Sequence, residues 1–176
     1  MQNRYIMTAF GKDRPGIVAD VTRILYENGC NLEDTTMSML ADEFTINLLF
    51  STGISDIETR LLEGCRHMEE QKDISAFIRP VKERRLTSQD STAMYTLHVE
   101  GLDQAGIVYK VSRFLADHSW NIVDLKSTMK STPESGTALY LMDIHIQVPA
   151  ATSVESIESG LSAVAEELNV EITVSS

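Results

Sequence analysis

The chain is poor in the residues that several function classes require. In 176 residues it has two cysteines, Cys30 and Cys65, and no Cys-x-x-Cys. That excludes a disulfide framework and a thiolate metal carrier, and it fits reduced thiols in a reducing compartment. Basic residues are scarce, 15 Lys and Arg against 26 Asp and Glu, for a formal net charge of −11. Nucleic acids are polyanions bound largely by neutralising phosphates, so no direct nucleic-acid contact is expected. The one basic cluster, Lys82, Arg84 and Arg85 around Glu83, reads as a solvated linker or as an anion or partner contact. No apolar run approaches the roughly 20 residues of a membrane span. The amino terminus lacks a charged-then-apolar signal pattern. A soluble, cytoplasmic protein away from membranes is expected. His67, His98, His118 and His145 are scattered without metal-ligand spacing, and they read as helix-surface or solvent-side strand residues. There is no glycine-rich phosphate loop and no nucleophile elbow. No catalytic residue, metal ligand or cofactor is expected, and the chain does not read as an enzyme.

What the sequence does contain is a repeat. Setting Tyr5 against Tyr95 without a gap aligns Gly11 with Gly101, Asp13 with Asp103, Gly16 with Gly106, and Ile17-Val18 with Ile107-Val108. Asn31 and Asp34 meet Asn121 and Asp124. The 30 positions 5–34 hold 11 identities at an offset of 90. The copies differ in charge: residues 1–88 carry 11 Lys/Arg and 14 Asp/Glu, residues 89–176 carry 4 and 12.

Each copy follows the same pattern. Tyr5, Met7 and Ala9, like Tyr95, Leu97 and Val99, alternate along a first strand. Ile17, Val18, Val21, Ile24 and Leu25 make the apolar stripe of a helix on a sheet, repeated by Ile107, Val108, Val111, Phe114 and Leu115. Gly29 and Ser119 fall near the helix ends. Second strands follow at 31–39 and 121–130, with hairpin turns at Asp42-Glu43 and Ser131–Gly136. Third strands alternate through Phe44, Ile46, Leu48 and Phe50, and through Tyr140, Met142, Ile144, Ile146 and Val148. Second helices carry Ile57, Leu61, Cys65 and Met68, and Ile157, Leu161, Val164 and Leu168. Short last strands lie at 74–81 and 170–175. The expected class is α+β: two ferredoxin-like βαββαβ domains, 1–81 and 93–176, joined by a linker at 82–92. In each, a four-stranded antiparallel sheet carries both helices on one face. The sheet edges would be unpaired, so side-by-side joining of two copies is expected to satisfy one edge of each.

The repeated polar residues allow two readings. Asp13 and Asp103 fall where a carboxylate can cap a helix, and Pro15 suits a first helical turn. Gly16 and Gly106 let backbone approach another object closely, and helix-terminal N–H groups would suit a carboxylate ligand. Asn31 and Asn121, at the start of the second strand, could close a turn or could bind a ligand. Placed on the fold, Asp13, Gly16 and Asn31 are expected to gather at one end of the sheet, as are their counterparts.

Asp-x-x-Gly-Ile-Val opening a helix, with Asn and an apolar residue some 15 positions on, resembles the ACT domain, and both copies match. A tandem pair of this length is similar to the glycine cleavage system transcriptional repressor family. The resemblance implies small effectors, usually amino acids such as glycine, held at interfaces between ACT domains. Carried over by position, the ligand residues are Asp13, Pro15, Gly16, Ile17 and Asn31, with Asp103, Gly106, Ile107 and Asn121. Ala105 replaces Pro15 in the second copy, which alters loop stiffness.

Two other families share the strand order. Acylphosphatase needs an arginine-bearing anion loop, for which Arg14 stands alone. An RNA-recognition domain displays aromatics on its third strand, where this chain offers Thr45 and Asn47, or Asp143 and His145. The reading favoured is a non-enzymatic, oligomeric regulatory module. No added catalytic or DNA-binding domain is expected within these 176 residues. It is therefore expected to act through a regulator or enzyme partner, in transcriptional or metabolic control. An adaptor or dimerisation module with no ligand is the alternative.

Overall fold

The computed structural model describes residues 3–81, 91–131 and 138–176. The chain divides into two compact units, Met1–Arg85 and Leu86–Ser176. The first runs β1 (Asn3–Lys12), α1 (Ile17–Glu27), β2 (Asn31–Leu40), β3 (Glu43–Thr52), α2 (Ile57–Lys72) and β4 (Ile74–Pro80). The second runs β5 (Thr92–Leu102), α3 (Ile107–Asp117), β6 (Asn121–Ser131), β7 (Ala138–Pro149), α4 (Val154–Leu168) and β8 (Val170–Ser175). The sheets have the orders β2-β3-β1-β4 and β6-β7-β5-β8, every pair antiparallel. These are two ferredoxin-like α+β domains.

The alternation in β1 and β3 drives the first core. Met7, Ala9, Phe44, Ile46, Leu48 and Phe50 point to one face and are fully buried beneath α1 and α2. Each large side chain so buried contributes about 1.5–3 kcal/mol. The second core repeats this with Leu97, Val99, Met142, Ile144, Ile146 and Val148 under α3 and α4. Two members of the expected helix stripe fall outside the core: Val18 and Val108 are both 39% exposed. Each lies ~100° around the helix from the isoleucine before it, at the rim of the buried face.

The helices cover the inner strands and leave β2 bare. All ten of its residues are exposed. Leu32, Met37 and Met39 are opposite Phe50, Ile46 and Phe44, so they share the helix-bearing face but lie beyond the helices. Cross-strand partners point the same way. Both second strands carry a β-bulge at the same place, at Glu33 and at Val123.

Some turns differ from the sequence expectation. The β2–β3 hairpin turns through Ala41, in the left-handed region at φ 54°, and Asp42; Glu43 already pairs with Leu40 in β3. A two-residue hairpin of this kind requires positive φ. Thr92, placed in the linker, begins β5. The rest of the expected linker, 82–90, and of the second hairpin, 132–136, lies outside the described residues.

Gly11 and Gly101 owe their repetition to crowding. A Cβ on Gly11 would stand 2.8 Å from the Asp73 carbonyl oxygen, and one on Gly101 2.6 Å from the Val170 side chain. Both glycines let the last strand start tight against the first.

Candidate functional site

The β1–α1 loop is a turn, with the helix starting one residue after it. Ile17 N–H donates to the Arg14 carbonyl at 3.2 Å, and Gly16 has φ 89° and ψ −3°. Pro15 has its φ fixed negative, so Pro15-Gly16 are the central residues of a type II turn. Gly106 has the same conformation, φ 100° and ψ −3°, behind Ala105. Two sequence expectations change here, and the glycines gain a further reason. Pro15 precedes the helix, because α1 begins at Ile17. Asp13 and Asp103 do not cap it: Gly16 and Gly106 are the N-caps, with no side-chain cap bond, and an aspartate three residues earlier is too far back. Gly16 and Gly106 are needed for positive φ, since a Cβ on either would meet nothing within 4 Å. Asp13 N–H instead donates to the Asp42 carbonyl at 2.9 Å, and Asp103 N–H to that of Ala138 at 3.2 Å. Each tie joins the loop to the end of the third-strand ladder.

Asn31 and Asn121 begin β2 and β6, as the sequence suggests. The helix before each ends in a Schellman motif. Cys30 N–H donates to Leu25 and Gly29 N–H to Tyr26; Trp120 and Ser119 do the same to Leu115 and Ala116. Gly29 and Ser119 supply the left-handed residue, at φ 65° and 58°.

The strand register overturns the expectation that Asp13, Gly16 and Asn31 share an end of the sheet. Asn31 is opposite Ser51, and Ser51 is opposite Arg4, at the start of β1. Asp13 follows Lys12, at the finish of β1. From Arg4 to Lys12 is about 26 Å at ~3.3 Å per residue. Asn121, opposite Gln147, is separated from Asp103 in the same way. Helix α1 runs back along the sheet between the two places, so one domain holds the two sets of candidate residues at opposite ends.

Both loops are pinned, by different chemistry. Arg14 reaches Asp20 on α1 at 2.6 Å, and Lys72 at the end of α2 pairs with the same carboxylate. The Lys72 and Arg14 hydrogen bonds hold the Asp20 carboxyl below its ordinary range. In the second domain Lys110 stands at the position of Asp20 and pairs with Glu167 of α4 at 2.7 Å. Gln104, at the position of Arg14, donates to the Leu168 carbonyl instead.

The Asn31 end of domain one has a feature that the sequence reading missed. Arg4 Nε donates to Oε2 of the bulge residue Glu33 at 2.9 Å, and Nη2 lies 2.7 Å from the same oxygen. Beneath them Ser51, 2% exposed, has a hydroxyl with no hydrogen-bond partner among the described residues. Ser51 lies near enough that its hydroxyl, together with Arg4, holds the Glu33 carboxyl low, without meeting bond geometry. The counterparts in domain two are Met94, Val123 and Gln147. The signal was present at position 33, where an acid in one copy is valine in the other.

The corner before Asn121 is aromatic. His118 lies 4.1 Å from Phe114 and 5.1 Å from Trp120, centroid to centroid, where domain one has Asn28, Ile24 and Cys30. His98 is also more than a solvent-side residue. Its Nδ1 donates to Asp143 at 2.7 Å, and its Nε2 meets the Ser175 hydroxyl at 2.9 Å. That order of groups serves nucleophilic catalysis in a water-excluding site. Here the His98 and Asp143 side chains are 48% and 61% exposed, and the chain of bonds ties three strands of an open face.

Two βαββαβ domains with a Gly-Ile-Val turn and an Asn-headed second strand define a tandem ACT-domain architecture. The ACT domain model matches residues 3–78. Over 97% of its length the chain is 30% identical to the glycine cleavage system transcriptional repressor of Escherichia coli (strain K12), covering 88% of that protein. Among solved structures, an unknown protein of Galdieria sulphuraria superposes with TM-score 0.79 at 29% identity, over 99% of this chain and 98% of that one. A structure ascribed to a glycine cleavage system transcriptional repressor superposes with TM-score 0.69 at 22% identity, over 99% and 97% of the two chains, and shows the shared fold. The chain belongs to the ACT-domain family of glycine cleavage system transcriptional repressors.

Proposed function

We propose that this protein is a non-enzymatic sensor of a small amino acid, such as glycine, that acts through a protein partner in the regulation of amino-acid metabolism. The observation that carries this is similarity to a transcriptional repressor along 97% of the chain. The net charge of −11 argues against direct contact with DNA and for a protein intermediary. The effector shifts that partner's affinity by binding one state better than another.

The two half-sites require two domains for one ligand. In this reading β2 of domain one pairs antiparallel with β2 of a second copy. A two-fold axis then sets the Asn31 end of one copy against the Asp13–Ile17 turn of the other. The exposure of all ten β2 residues supports that pairing, as do the apolar Leu32, Met37 and Met39 beside the edge. The turn contributes backbone N–H groups to a carboxylate, and Asn31 contributes its amide. Calorimetry against the twenty amino acids tests the reading, with Gly16→Val and Asn31→Ala beside wild type. Saturable binding by at least one, weakened in both variants, is expected. Binding by none would leave a dimerising adaptor, the second reading that the bare β2 edge favours; light scattering would then show the dimer without ligand.

A further inference from the structure

The Arg4–Glu33 pair is only half used. Two of the three guanidinium nitrogens address Oε2, which leaves Oε1 of Glu33 and Nη1 of Arg4 without a hydrogen-bond partner among the described residues. The buried Ser51 hydroxyl lies close to the Glu33 carboxylate without meeting hydrogen-bond geometry to any described residue. Asn31 is its neighbour across the ladder, and its amide is exposed. A cation and a carboxylate in contact, each with an unused polar atom, complement a ligand whose own opposite charges are adjacent.

We infer that Arg4, Glu33, Ser51 and Asn31 form the charge-recognition half of an α-amino-acid site that exists in domain one alone. The ligand carboxylate accepts from Arg4 Nη1 and the Asn31 amide, in addition to the turn N–H groups of the second copy. Its ammonium donates to Glu33 Oε1, and Ser51 gains a partner. Separating the two charges by an extra methylene breaks the match, so β-amino acids are excluded. Domain two has Met94, Val123 and Gln147 in these places and offers neither charge. The inference rests on the amino-acid-sensor reading and locates the ligand within it.

Calorimetry on the full chain tests it, first with each of the twenty α-amino acids and β-alanine, then with variants against whichever amino acid binds. Expected are one ligand per chain, no heat from β-alanine, and at least tenfold weaker binding by both Arg4→Gln and Glu33→Gln. Met94→Ala and Gln147→Ala should bind as wild type. Glu33→Gln preserves size on an exposed bulge, and circular dichroism checks that each variant is folded. Ser51→Ala is a second, smaller probe, expected to weaken binding severalfold. Wild-type affinity in Arg4→Gln and Glu33→Gln, or two equivalent ligands per chain, would overturn this site and leave the sensor reading standing. Wild type binding none of the twenty would overturn both.

Discussion

Asp20 and Lys110 stand at the same turn of equivalent helices, carry opposite charges, and are each paired to the second helix of their own domain. Lys72 is the partner in domain one and Glu167 in domain two. The duplicated domain has kept a helix–helix tie while reversing its polarity. The two are not of equal weight. Asp20 is well shielded and receives two cations, whereas Lys110 and Glu167 form one exposed pair worth at most about 1 kcal/mol.

The Asp20 tie sets a pH dependence. Its folded-state carboxyl lies below the ordinary value of 3.8, so its stabilisation is present above that pH and is lost as pH falls through the lower folded value. Asp20→Asn should lower Tm at neutral pH, and the gap to wild type should close on acidification below 3.8. Lys110→Gln should change Tm less. Thermal melts followed by circular dichroism across this range check both, and a pH-independent gap for Asp20→Asn would rule out the ionic origin.

Two glycines should fail for different reasons. Gly11→Ala places a Cβ 2.8 Å from a backbone oxygen and should cost about 1–3 kcal/mol. Gly16→Ala has open space but a left-handed backbone at φ 89°, and should cost about 1–2 kcal/mol. Asparagine tolerates positive φ, so Gly16→Asn should recover stability relative to Gly16→Ala. Gly11→Asn should recover none relative to Gly11→Ala. Urea titrations of the four variants separate crowding from backbone strain.

The thiols should react one at a time. Burial pushes Cys65 up to about 11, while Cys30, also raised by burial, is only half-buried and within reach of solvent. At pH 8 roughly one Cys65 in a thousand would be thiolate even if reagent could reach it. One thiol is expected to label in the native protein and the second only on unfolding. Mass spectrometry after brief labelling identifies which, and prompt labelling of Cys65 would contradict the buried core.

Elements with strong alternation were legible from sequence. Phe44 to Phe50 and Tyr5 to Ala9 have one partner face each, so period alone places them. The candidate residues could be picked out from sequence, but their placement on the sheet could not. Asp13 and Asn31 are 18 positions apart and look close, but the intervening α1 carries the chain the whole length of the sheet. Only the pairing of Asn31 with Ser51, and of Ser51 with Arg4, reveals that. Arg4 and Glu33 were missed because their meeting depends on a bulge, and a bulge leaves no period in the sequence. Pro15 was placed in the first helical turn and Asp13 at its cap because proline and aspartate favour helix starts. A type II turn at Gly16 delayed the start beyond both.

Opposite placement of the half-sites gives the most direct test of the account. If one ligand needs Asn31 of one copy and the turn at Gly16 of another, Asn31→Ala and Gly16→Val should complement. Each variant alone should bind too weakly to detect. Co-expressed, they form mixed dimers with one intact composite site, about a quarter of all sites on random pairing. Calorimetry with the amino acid that wild type binds should recover that fraction at wild-type affinity. A mixture that binds no better than either variant alone would contradict a site shared between two copies.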